Sequence, residues 1–86
     1  MDYYVYLLLA KSKNSNISYV GYTNDLIKRL KKHNSSKGAK FTKGRKWKII
    51  YSKKYHNKSM ALKEEYNLKN DYKKREMIKD NYLKSK

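Results

Sequence analysis

Cysteine and proline are both absent from the sequence. Without cysteine there can be no disulfide and no thiolate metal site. Without proline, nothing reads as a proline-rich linker. Glycine occurs only at Gly21, Gly38 and Gly44, too widely spaced for a glycine-rich phosphate loop. Histidine occurs only at His33 and His56, so a zinc site built from protein ligands would need unusual carboxylate help. The longest apolar stretch, Tyr3 to Ala10, has the length of a strand and falls far short of a membrane span. No signal-peptide pattern is present, so a cytoplasmic, nuclear or nucleoid-associated location is expected.

Negative charge is equally scarce. Seven Asp or Glu face 23 Lys or Arg, a formal net charge of +16 on 86 residues. A chain this short holds one small domain with a thin core. A field of that strength on so small a surface attracts polyanions, nucleic acid first among them. The arginines are Arg29, Arg45 and Arg75 alone, and all other basic residues are lysine. Coding bias explains lysine over arginine but not the missing counter-charge. Residues 26–63 contain no acid, and the acids are confined to Asp2, Asp25 and a cluster from Glu64 to Asp80. Charge segregated in this way suggests a face that tracks phosphates, with Lys28, Lys32, Lys37, Lys40, Lys43 and Arg45 as its candidates. The same scarcity excludes a two-metal centre, which needs several carboxylates. A single magnesium held by one carboxylate, waters and a substrate phosphate stays open.

Tyr3 to Leu9 is β-rich and apolar at nearly every position, which predicts a strand covered on both faces and central in its sheet. Lys11 to Asn16 reads as a polar turn and Ile17 to Tyr22 as a second strand, joined to the first in a hairpin with a six-to-seven-residue connection. Thr23 or Asn24 is the expected N-cap of a helix that runs to about His33 with Leu26, Ile27 and Leu30 as its apolar stripe. Asn34 to Gly44 reads as a basic loop and Trp47 to Tyr51 as a third strand. Asn57 or Ser59 caps a longer helix through about Asn70, and Asp71 to Leu83 forms a last helix. The expected fold is α+β, a single domain over residues 1–86, with a central three-stranded antiparallel sheet flanked by helices in the order β-β-α-β-α-α. The last few residues are expected to be disordered.

Three groups of residues stand out chemically. Arg29 and His33 are four apart, so they share a helix face, and that face borders the Leu26 edge of the stripe. A side chain there can lie over the sheet, or simply snorkel. Ten tyrosines accompany one Phe and one Trp; Tyr4, Tyr6 and Leu8 share one strand face, with Tyr19 on the neighbouring strand. Such tyrosines can be cross-strand packing or phenols placed to position a water. Glu64 and Glu65 lie in a helix that is apolar nearly all round, and periodicity does not choose between them.

These spacings resemble the GIY-YIG nuclease domain. The residues that carry the resemblance are Tyr4-Val5-Tyr6, then Tyr19-Val20-Gly21, Arg29 ten residues after Tyr19, His33, and a carboxylate in a later helix. The most specific segment, Tyr19 to Asn34, is similar to the catalytic subunit of the eukaryotic branched-DNA resolving endonuclease and to small stand-alone bacterial proteins of this fold. Lys37-Gly38-Ala39-Lys40 is similar to the latter as well, and Ala61-Leu62-Lys63-Glu64-Glu65 matches an Ala-Leu-x-x-Glu pattern that selects Glu65. Tyr4 stands where the family name has Gly, and the spacing between the two triads is slightly longer than usual. The resemblance implies a one-metal hydrolysis of DNA phosphodiester bonds in repair or recombination, on branched or single-strand-containing DNA, with a protein partner or dimerisation left open. It implies that Tyr19 helps activate water, Tyr6 orients that water or the phosphate, Arg29 neutralises phosphoryl charge, and His33 assists proton transfer or holds a phosphate oxygen. Glu65 would be the only protein ligand of Mg2+ (or Mn2+), and Asn34 and Lys69 would contact the substrate or support the site. The alternative is a catalytically silent module of the same fold that binds DNA or RNA.

Overall fold

A computed structural model describes residues 1–11, 15–35 and 44–85. The elements run β1 (Tyr3–Lys11), β2 (Asn16–Thr23), α1 (Leu26–Asn34), β3 (Lys48–Tyr55), α2 (Lys58–Asn70) and α3 (Tyr72–Lys84). The three strands form one antiparallel sheet in the order β2-β1-β3. The strand with no polar face is thus the central one, buried from Val5 to Ala10. The fold is the expected α+β arrangement, β-β-α-β-α-α.

Several boundaries differ from the sequence expectation. β1 and β2 extend until Lys11 pairs with Asn16, so the connection is residues 12–15, shorter than six or seven. β3 reaches Tyr55 rather than Tyr51, because its polar second half still finds ladder partners in Tyr3 to Tyr6. Trp47 lies just before β3 and is buried. Asp25, not Thr23 or Asn24, caps α1 by accepting the Lys28 N–H at 3.1 Å. Thr23 is engaged one step earlier, its Oγ1 accepting the Asp25 N–H at 3.1 Å. Asn57 caps α2 through the Met60 N–H, and Asp71 both ends α2 and caps α3 through the Lys74 N–H. Each such cap contributes about 1 kcal/mol.

The sheet carries a core cluster on each face. Val5, Leu7 and Val20 pack with Ala61 and Leu68 of α2, and Ile78 of α3 joins them. Tyr6, Leu8, Ala10 and Trp47 form the other cluster, with Leu26 and Leu30 of α1 against it. The helices therefore divide between the two faces. Ile50 and Tyr51 both pack on the α2 cluster, which strict alternation along a strand forbids. The register shift opposite Leu7/Leu8 supplies the extra residue that permits it. Ile27, expected in the α1 stripe, is 69% exposed. The face of α1 turned inward is instead Leu26, Leu30 and His33, which puts Arg29 at its border.

Candidate active site

The α1 face of the sheet brings four of the sequence candidates together. Antiparallel register sets Tyr6 opposite Gly21 and Leu8 opposite Tyr19. The Tyr6 ring crosses over Gly21: a Cβ at residue 21 would stand 2.5 Å from the Tyr6 Cζ and closer still to its Oη. Glycine is needed here for room. The phenol, 2% exposed as a residue, reaches the imidazole of His33, which is fully buried. Tyr6 Oη and His33 Nε2 are 3.0 Å apart, and the Arg29 Nε–H donates to the same phenol oxygen at 3.5 Å. The Tyr19 ring meets the His33 ring edge-on at 5.2 Å and the Trp47 ring at 6.4 Å.

Electrostatics assigns the protons. Burial pushes the Tyr6 phenol above its ordinary pKa; Arg29 opposes this by hydrogen bond and charge, while Tyr19 and the Glu65 carboxylate push it further up. Burial, then the Arg29 charge, pull His33 below its usual value. Around neutral pH the pair is therefore phenol and neutral imidazole. With Arg29 donating to the phenol oxygen, the phenol proton is directed at His33 Nε2. The Arg29 guanidinium, in turn, is held cationic, by its hydrogen bond to Tyr6 first and with a contribution from Tyr19.

The two glutamates separate clearly. Helix α2 packs on the opposite face of the sheet, yet the Glu65 charge is felt by Tyr6, whereas the Glu64 charge is felt by Tyr55 in the other cluster. Glu64 lines a small cavity with Tyr51, Tyr55 and Asp71 and accepts from Asn67 at 3.4 Å. The Glu65 side chain is 17% exposed and pairs with Lys69 at 3.6 Å.

The remaining candidates spread outward. Lys28 and Lys32 are exposed on α1, and among the described residues neither side-chain ammonium forms an ion pair. The Asn34 amide brackets the Trp47 backbone, accepting its N–H at 2.6 Å and donating to its carbonyl at 3.2 Å, and so anchors the residue whose ring meets that of Tyr19. Arg45 lines a cavity of about 580 Å³ beside Leu9, Ala10 and Tyr82. Lys37, Lys40 and Lys43 lie outside the described residues. Sequence reasoning passed over Arg75: in α3, it borders a cleft shared with Ser18, Tyr19 and Lys69. No local signal marks it, because only the docking of α3 brings it to β2.

Residues 2–79 match the family model of the GIY-YIG catalytic domain. The chain belongs to the GIY-YIG family. It is 46% identical over 69 residues to the UPF0213 protein OB0043 of Oceanobacillus iheyensis, covering 79% of this chain and 77% of that protein. It is 39% identical over 86 residues to the UPF0213 protein RBAM_000440 of Bacillus velezensis, covering 99% and 81%. The solution NMR structure of the UPF0213 protein BH0048 from Bacillus halodurans superposes with a TM-score of 0.50 at 35% identity, over 93% of this chain and 84% of that one. A GIY-YIG catalytic domain implies nuclease activity, and hence a DNA substrate. Nucleases of this family are generally dependent on a divalent metal. The donor set here suits a loosely held hard cation: among the described residues no three His, Asp or Glu cluster, and one largely buried carboxylate, Glu65, acts on the Tyr6 phenol through its charge. No helix among the described residues is long and apolar enough to cross a membrane.

Proposed function

We propose that this protein is a metal-dependent endonuclease that hydrolyses DNA phosphodiester bonds, selective for branched or single-strand-containing DNA, in repair or recombination. The observation that supports this reading best is the gathering of Arg29, His33 and Tyr19 around one buried phenol, with Glu65 as the carboxylate whose charge reaches it. Tyr6, sealed over Gly21, is a positioning residue: it holds the Arg29 Nε and the His33 ring in one geometry. Tyr19 is only half buried, so its phenol is the one that meets an incoming water. The Arg29 guanidinium, already aimed at the site, neutralises charge that builds on the phosphoryl oxygens. Glu65 is the residue that would hold Mg2+ or Mn2+, the rest of the shell being water and phosphate oxygen. When bound, the ion supplies positive charge at the phosphoryl group. Lys28 and Lys32, exposed on α1, add attraction for the DNA backbone.

The test is cleavage of labelled branched, flapped and linear DNA with magnesium, against an EDTA control. Glu65→Ala should abolish metal-dependent cutting and leave DNA binding intact or tighter, because it removes the ligand and a repulsive charge together. Glu64→Ala, on the Tyr55 side of the sheet, should be nearly silent. DNA that is bound but never cut in a Glu65-dependent way would refute the enzyme and leave a binding module of the same fold.

A further inference from the structure

Arg75 is half buried in α3, and its Nε is sealed from solvent with no hydrogen-bond partner among the described residues. None of the four ion pairs among the described residues involves it. Its guanidinium carbon stands 5.7 Å over the Tyr72 ring. A guanidinium with no ion-pair partner among the described residues, beside an aromatic ring, can take an anion from outside the chain.

A cleft of about 270 Å³ lies beside it, lined by Ser18, Tyr19, Val20, Lys69 and Arg75. That is below the roughly 300–1,000 Å³ of pockets that enclose a whole small molecule. It suits one group carried on a larger ligand. Two cations and two hydroxyls line it, and no carboxylate does, although Lys69 also leans on Glu65. A planar five-donor fork with an ammonium beside it matches a tetrahedral oxyanion. The cleft shares Tyr19 with the site described above, so an anion seated there would be continuous with a substrate in that site.

We infer that Arg75 and Lys69 bind a phosphodiester of the substrate strand adjacent to the one being cut, which carries that strand from Tyr19 across the β2 edge onto α3. This rests on the reading of the Tyr19 site as a phosphodiesterase centre, but binding tests it without cleavage. The chain, 15N-labelled and in EDTA, is titrated with a single-stranded thymidine octanucleotide while the side-chain Nε–H signal of Arg75 is followed. That signal should shift and saturate with the oligonucleotide. Inorganic phosphate, which has no flanking strand, should move it only at far higher concentration. In parallel, Arg75→Gln should lower the slope of log K against log[salt] by roughly 0.7, one phosphate contact on a single strand, and Arg75→Lys should recover most of that slope. An Arg75 signal that stays still at saturation overturns the inference, and so does inorganic phosphate as potent as the oligonucleotide. If Arg75→Gln does not fold, the titration of the unsubstituted chain decides. A wild-type salt slope for a folded Arg75→Gln that still cuts DNA overturns the cleft alone. A cleft that passes these tests in a chain that never cuts DNA overturns the proposed function alone.

Discussion

Gly21→Ala is the smallest change that interrogates the site. The backbone at Gly21 lies within β2 and is not in the left-handed region, so alanine meets no conformational penalty and should gain about 0.5–1 kcal/mol from a less flexible unfolded chain. Against this, the new methyl would stand 2.5 Å from the Tyr6 Cζ, where ordinary contact begins at 3.4 Å. The ring must move by about 1 Å, a displacement that can cost about a hundred-fold in rate when it misplaces catalytic groups. The phenol cannot swing aside freely, being buried and tied to His33 and Arg29. Overpacking of this kind costs about 1–3 kcal/mol. The net expectation is a loss of about 1–2 kcal/mol, or roughly 4–8 °C in Tm for each kcal/mol in a domain of this size. Thermal melts of Gly21→Ala, Tyr6→Leu and the double variant form the assay. Shortening Tyr6 removes the obstacle, so in that background Gly21→Ala should stabilise by up to about 0.5–1 kcal/mol, a coupling of about 1 kcal/mol or more. Tyr6→Phe should not relieve it, because Cζ remains. Equal costs of Gly21→Ala with and without the Tyr6→Leu change would refute the steric argument, and a Gly21→Ala chain more stable than the natural one would do so outright.

Other measurements probe the charges. Arg29→Ala should lower the cleavage rate about a hundred- to a thousand-fold, roughly 2.7–4 kcal/mol, with a smaller loss of DNA binding; equal losses in both would assign Arg29 to ground-state binding only. His33 is held below its usual pKa, so between its ordinary value of 6.5 and its lower folded value the unfolded chain binds more protons. Stability from neutral His33 is therefore complete above pH 6.5 and falls as the pH drops through that value, until the folded protein protonates too. Tm against pH should show this slope, and His33→Gln should flatten it. Metal removal with EDTA should stop cleavage without lowering Tm, because Glu65 already pairs with Lys69 in the folded chain; a large drop in Tm would point to a structural metal instead.

Much of this domain is legible in the chain itself. Tyr3 to Ala10 has no polar alternation, and a strand with two apolar faces has to be central in a sheet covered on both sides. The four-residue spacing of Arg29 and His33 puts both on one face of α1 whatever the helix packs against. The absence of acid from residues 26–63 leaves Lys32 with no acid within four residues before any fold is known. These are properties of neighbours in sequence, and backbone periodicity converts them directly into neighbours in space.

What the sequence leaves open depends on relations between distant segments. The stripe of Leu26, Ile27 and Leu30 suggested an inward Ile27, but the phenol of Tyr6 offers His33 a hydrogen bond, and α1 is rotated so that His33 is buried and Ile27 is not. Strand register, set by the whole β1–β2 ladder, brings Tyr6 over Gly21 and so explains why that residue has no side chain. Glu64 and Glu65 are adjacent in one helix, and only the azimuth at which α2 docks sends one charge to Tyr55 and the other to Tyr6. Arg75 comes to line a cleft with Tyr19 only because Asp71 turns the chain between α2 and α3. A local pattern specifies which residues share a face; which face meets which is a matter of packing, and it is there that the site is assembled.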